Sequence, residues 1–162
     1  MIFVTVGKEK FPFDRLIKII DEFVKAGEVS GRVFAQTGSS GYIPKVLEYK
    51  RSLGFMEQVK FLEEADIIIS HAGEGTILLC EHLGKIPIVF PRRSVLGEHI
   101  DDHQVELTQK MSDRSNVLIA RTEEELIDMI KNYKTYIAGL KRQDNVLDRK
   151  YIVEYLKKIC GI

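Results

Sequence analysis

The sequence has no tryptophan, only four prolines and two cysteines, and no net charge, since 24 Lys+Arg balance 24 Asp+Glu. A chain so balanced is not a general polyanion binder, which argues against nucleic acid as the main partner. Cys80 and Cys160 lie far apart and lack any C-x-x-C or metal-knuckle spacing. Both sit in apolar stretches and read as reduced core thiols of a cytosolic protein. No apolar run approaches the roughly 20 residues that span a bilayer. The N-terminus has neither a basic n-region nor a small-residue cleavage site. Repeats, low-complexity segments and linkers are missing too. With 162 residues, the expectation is one soluble intracellular domain, too short for two full α/β domains.

What is present is alternation. Ile2, Phe3, Val4, Thr5 and Val6 form a β-branched run that stops at Gly7, and residues 11–26 carry apolar side chains at helical spacing. A second strand is predicted over 32–37 and a weaker extended piece over 48–53. Helix over 56–64 leads into a buried strand at Ile67, Ile68 and Ile69. The next helix, about 74–83, is closed by Gly84. Residues 86–90 read as a fifth strand ending at Pro91, followed by a polar loop over 92–98 and a helix over 101–111. Residues 117–120 read as a sixth strand. Thr122 and Glu125 form a capping box opening a helix to about Asn132, and a last helix is expected over 148–159. Strands and helices interleaved in this way predict a single Rossmann-like α/β domain with a parallel sheet of about six strands. In such sheets ligands bind at the carboxyl ends of the strands. Those ends carry Gly7 and Lys8; Gln36, Thr37 and Gly38; His71 and Gly73; and Arg92.

Familiar nucleotide and nucleophile motifs are absent: no G-x-x-x-x-G-K-[ST], no G-x-G-x-x-G after the first strand, and no G-x-S-x-G elbow. Two other constellations stand out. Ser70-His71-Ala72-Gly73-Glu74-Gly75-Thr76 runs from strand into helix, and its glycines let a ligand approach the free N–H groups of the first turn. With the helix dipole this suits a phosphate, and Thr76 adds a hydroxyl. It also suits a tight connection in which the glycines only relieve crowding, and Glu74 must point away from any phosphate. The second is Pro91-Arg92-Arg93-Ser94-Val95-Leu96-Gly97-Glu98-His99-Ile100-Asp101-Asp102-His103-Gln104. Its histidines are four apart, but Ile100 replaces the glutamate of H-E-x-x-H and no third metal ligand is evident. The segment reads either as a capped helix start or as a site for a polyhydroxylated ligand whose phosphate Arg92 or Arg93 neutralises. The stretch from Lys131 onward has eight Lys/Arg against three Asp/Glu. It is a solvated basic helical region (131–162) or a docking end for a partner or an anionic membrane surface.

Taken in order, Phe3-Val4-Thr5-Val6-Gly7, Phe11-Pro12-Phe13-Asp14-Arg15-Leu16, Gln36-Thr37-Gly38, Ser70-His71-Ala72-Gly73-x-Gly75-Thr76 and Gly97-Glu98-His99-x-Asp101-Asp102-His103-Gln104 resemble the C-terminal-type domain of glycosyltransferase family 28. The resemblance covers nearly the whole chain, which more specifically looks like the small bacterial exopolysaccharide and capsule transferase subunits of that family. A eukaryotic relative is the catalytic subunit of the two-part UDP-GlcNAc transferase of N-glycan precursor synthesis. It implies a donor-binding domain spanning 1–162, equivalent to the C-terminal half of a GT-B enzyme. The donor would be a UDP-sugar as substrate, with neither cofactor nor metal. Gly7, Lys8, Gly73, Gly75 and Thr76 would surround the diphosphate, with Gln36, Thr37, Gly38 and Arg92 at the crevice edge. Phe55 and Met56 would sit beside the uracil. Asp102 and Gln104 would meet the donor sugar, with Glu98 and His99 close by. The resemblance further implies a membrane-anchored partner subunit, a lipid-linked saccharide acceptor reached through it, and a cytoplasmic site on the inner face of the membrane. Two positions depart from the pattern. Lys8 stands where threonine is usual, and Leu79 where many relatives carry a ribose-gripping glutamate; Glu81 lies on another helix face and does not inherit that role. His71 is the one local candidate for a general base. The alternative is a non-catalytic sugar-nucleotide-binding or regulatory subunit.

Overall fold

In the computed structural model, which describes residues 1–100 and 117–140, the predicted strands are β1 (Ile2–Thr5), β2 (Val33–Gln36), β3 (Glu48–Lys50), β4 (Ile67–Ser70), β5 (Ile88–Val89) and β6 (Leu118–Ile119). They form one sheet in the order β3-β2-β1-β4-β5-β6, and every neighbouring pair is parallel. The chain steps outward from β1 to β3, then returns to the other side of β1 for β4. The order therefore reverses between β1 and β4, which places a ligand crevice above the carboxyl ends of these two strands.

The central strands are buried on both faces, as parallel strands covered by crossover helices must be. Successive side chains alternate, so Val4, Ile69 and Ile88 pack on one side with Leu16, Ile17 and Ile20 of α1 (Asp14–Lys25) and with Leu126 and Ile130 of α4 (Glu123–Lys131). Phe3, Phe34 and Ile68 face the other side, against Leu62 of α2 (Phe55–Glu64) and Leu79 and Cys80 of α3 (Glu74–His82). Cys80 is a free, buried thiol whose pKa burial pushes up to about 12. It is a small apolar filler rather than a nucleophile.

Several boundaries differ from expectation. The first helix starts at Asp14 rather than residue 11, because Pro12 biases Phe11 toward extended backbone and Phe13 is held at φ −134°, ψ 54°. The fifth strand shortens to Ile88–Val89, because Pro87 has no N–H for the ladder. Thr122 does cap α4, its Oγ1 accepting the Glu125 N–H at 3.2 Å, while the Glu125 carboxylate reaches back to the Arg121 N–H at 2.6 Å. An additional short helix, α5 (Tyr133–Gly139), follows directly after Asn132. Its Tyr133 hydroxyl donates to the Ile86 carbonyl, tying it beneath β5. The helices expected over 101–111 and 148–159, and Cys160, lie outside the described residues.

Candidate functional site

Three loops meet at the carboxyl ends of β1, β4 and β5. The first leaves β1 at Gly7, whose φ of +76° suits glycine and not other residues. A side chain there is excluded twice over, because a Cβ on Gly7 would lie 2.6 Å from His71 Cε1 and Nε2. A Cβ on Gly73, in the β4–α3 turn, would meet Cε1 at the same distance and Nε2 more closely still. The His71 imidazole is therefore a wedge between two glycines of different loops, and only glycine lets the backbones close on it. His71 is 4% exposed, and its Nδ1 lies 3.3 Å from the Thr5 carbonyl. A carbonyl only accepts, so Nδ1 carries the proton and Nε2 presents a lone pair toward the glycines.

Burial, with the nearby charge of Arg92 and a lesser influence of His99, pushes the His71 pKa down to about 3, against a smaller opposing effect of the Thr5 hydrogen bond. An imidazole so reluctant to take a proton is poorly matched to general-base work near neutrality. The expectation that His71 acts as a base gives way here to a positioning role. Between it and Gly73 sits Ala72, a non-glycine residue with positive φ (69°). Its methyl is buried with Ile77, Val89 and Val117, so apolar packing holds the strained turn.

The helix that follows begins at Glu74, which is exposed. Thr76 and Ile77 both direct their N–H groups to the Gly73 carbonyl. The N–H groups of Glu74 and Gly75 are left at the open end of α3, where the dipole favours an anion. Thr76 is buried and Gly75 half-buried just behind them. Lys8 is exposed beside Gly7.

Gln36 holds the opposite wall. Its Oε1 accepts from the Thr5 hydroxyl at 2.5 Å and the Gly7 N–H at 3.2 Å, while Nε2 donates to the carbonyls of Gly7 (2.7 Å) and Arg51 (3.3 Å). Both ends of the amide are used within the protein, so Gln36 builds the crevice wall and is not available to a ligand. Thr37 is buried, its N–H on the Lys50 carbonyl, and Gly38 (φ +55°) packs against Gly7, whose carbonyl would lie 2.6 Å from any Cβ at 38.

The loop after β5 was expected to offer Arg92 and Glu98 to the ligand, and the structure turns both inward. Arg92 is 1% exposed. Its guanidinium donates to the carbonyls of Val6 and Phe11 and pairs with Glu9 at 3.0 Å. Burial lowers its pKa, and Glu9 and Glu98 partly offset this. Arg92 thus braces the β1–α1 loop from below rather than neutralising a phosphate directly. Glu98 is 7% exposed and accepts both arms of Arg15. His99 stays at the rim, its ring 4.9 Å from that of Phe11 and its Nε2 3.6 Å from Glu9. Arg93 donates to the Arg121 carbonyl at 2.6 Å. Sequence patterning could not reveal these directions, because a polar loop residue reads alike whether it faces in or out.

Phe55 and Met56 open α2, one residue earlier than expected; Phe55 is partly buried and Met56 is 74% exposed. Leu79 is buried in the apolar cluster under α3, leaving no polar group at that position. Asp102 and Gln104 lie outside the described residues. Among the described residues, no group of three or more His, Cys, Asp or Glu is placed to hold a metal ion, and no helix is long and apolar enough to cross a membrane. A cavity of about 520 Å³ lined by Asp66, Ile67, Lys85 and Tyr133 lies at the amino-terminal end of β4, away from this crevice.

Comparison with known proteins agrees with this architecture. Over 73 residues the chain is 38% identical to the UDP-N-acetylglucosamine transferase subunit ALG13 of Candida albicans, covering 45% of this chain and 23% of that protein. Over 78 residues it is 27% identical to the protein of the same name from Yarrowia lipolytica, covering 47% of this chain and 38% of the relative. The matches thus span well under half the length of these relatives. Among solved structures, MurG of Acinetobacter baumannii superposes with a TM-score of 0.57 at 19% identity, over 96% of this chain and 49% of that one. This likeness concerns the fold, which is that of one half of a GT-B glycosyltransferase. The model of the glycosyltransferase family 28 C-terminal domain matches residues 1–149, and the chain belongs to that family.

Proposed function

We propose that this chain is the donor-binding half of a UDP-sugar-dependent glycosyltransferase. The observation that carries the reading is the pair of glycines closed over His71 at the β1/β4 switch point, with the open end of α3 beside them. This leaves a crevice whose floor is backbone, where N–H groups and the exposed Lys8 meet an anion without intervening side chains. A nucleoside diphosphate fits that chemistry, and the name shared by the two ALG13 relatives supports UDP-N-acetylglucosamine as the first donor to test.

The reaction is direct glycosyl transfer. An acceptor hydroxyl attacks the anomeric carbon, the bond from that carbon to the diphosphate breaks, and the electron pair leaves with UDP. Backbone N–H groups at the start of α3, with Lys8, stabilise the charge that grows on the departing phosphate. The acceptor proton passes to a base outside the described crevice, since His71 is buried and neutral. A separate partner, anchored in the membrane, supplies that base and presents a lipid-linked saccharide, placing this chain at the inner face of the membrane in exopolysaccharide or capsule synthesis. Lys8 and Leu79 favour one competing reading, a subunit that binds sugar nucleotide without turnover.

Calorimetric titration with UDP and UDP-N-acetylglucosamine, followed by a transfer assay with the co-expressed partner, separates these readings. Binding with partner-dependent transfer is expected. Binding without transfer favours the non-catalytic subunit, and failure to bind either nucleotide overturns both.

A further inference from the structure

We infer that Arg15, on α1, is the positioning residue for the sugar end of the donor site, acting through Glu98. Its guanidinium forms a two-armed pair with the Glu98 carboxylate, Nε to Oε1 at 2.7 Å and Nη2 to Oε2 at 2.8 Å. Nη2 also donates to the Pro91 carbonyl at 3.1 Å. The planar cation lies over the Phe90 ring at 4.4 Å and near that of Phe13 at 5.4 Å. Glu98 in turn accepts the Arg93 N–H at 2.9 Å, closing the loop on itself, and Gly97 at φ +70° makes the reversal. One side chain from another element therefore fixes Pro91 directly and Arg93 and Glu98 through the carboxylate. Only a planar fork can make both arms while stacking on Phe90, so lysine is an incomplete substitute.

The inference rests on the donor reading above, and the topology gives it direction. The diphosphate crevice lies over β1 and β4, and β5 is the next strand outward. On the β2 side both ends of the Gln36 amide are used within the protein, so we place the sugar of a donor seated by its diphosphate on the other side, under the loop that leaves β5 and that Arg15 shapes. The diphosphate crevice is held by other groups, namely Gln36 and His71. Removing Arg15 should loosen one end of the site and spare the other, a separation that a general folding role would not produce.

The test is calorimetric titration of wild type, Arg15→Met and Arg15→Lys with UDP and with UDP-N-acetylglucosamine. The control is Arg32→Met, which removes the exposed Arg32–Glu48 pair at the far edge of the sheet. Arg15→Met is expected to hold its UDP Kd within about twofold and to weaken UDP-N-acetylglucosamine about tenfold, with a loss of about threefold in Arg15→Lys and no change in the control. If Arg15→Met does not fold by circular dichroism, Arg15→Lys decides alone. Equal losses for both ligands, or no selective loss, overturn the inference while leaving the donor reading intact. A wild type that binds neither nucleotide overturns both.

Discussion

His71 links sequence to chemistry through its size and its proton. Because its ring occupies the space a Cβ at Gly73 would need, Gly73→Ala should destabilise the fold by about 1–3 kcal/mol in urea denaturation, as overpacking does. In a His71→Ala background the same change should cost less than half as much; equal costs would show that the ring is not what Gly73 avoids. The proton gives a second prediction. The folded pKa of about 3 lies below the ordinary 6.5, so the unfolded chain binds a proton that the folded chain refuses. Stability from this group is complete above pH 6.5 and declines as pH falls toward 3, by up to about 1.4 kcal/mol per unit. Between pH 7 and 5, before most carboxylates titrate, wild type should lose about 2 kcal/mol more than His71→Asn. Parallel curves would refute this. Neither effect was legible in the sequence, where His71 reads as a candidate base at a strand end followed by two glycines.

At the scale of elements, α1 does more than cover the sheet. Asp14 accepts the N–H groups of Gly41 and Tyr42. Seven residues on, the buried Asp21 accepts those of Lys45, Val46 and Leu47 and the Tyr42 hydroxyl. Burial alone would raise the Asp21 pKa, but the N–H groups of Lys45 and Val46, the Tyr42 hydroxyl and the Leu47 N–H together hold it below the usual carboxylate range. Asp21→Asn turns an amide N–H toward these donors and should cost about 2 kcal/mol, seen as a lower urea midpoint and faster chymotryptic cleavage after Tyr42. An unchanged cleavage rate would count against the clamp. Strand positions and the α/β alternation were readable because β-branched runs such as Ile67-Ile68-Ile69 have no other use. The clamp was not, since Asp21 sits among helix formers and its partners are 21 to 26 residues away. The helical character of the basic stretch from Lys131 was readable, but the bounds of α5 were not, since it packs on the core through the partly buried Tyr133, Tyr136 and Ile137 without a full apolar face.

Across the whole molecule, nearly every residue of this chain aligns with one half of a longer transferase structure. On the reading proposed above, the opposite wall of the crevice comes from a separate partner, and this chain by itself should bind donor and transfer poorly. UDP at a hundredfold above its Kd should raise Tm by roughly 5–10 °C, and Gly75→Trp, at the open end of α3, should abolish that shift. A shift that survives Gly75→Trp would move the site elsewhere. One feature of the crevice wall also sets how the molecule moves. Gln36 shares its amide among Thr5, Gly7 and Arg51, so the loops after β1 and β3 cannot fluctuate separately without breaking a bond at one of them. Amide hydrogen exchange at Gly7 and in the backbone around Arg51 should slow together when a nucleotide seats. Changing Gln36 to Glu, which sets a second oxygen against two carbonyls, should decouple them and make their motion depend on pH.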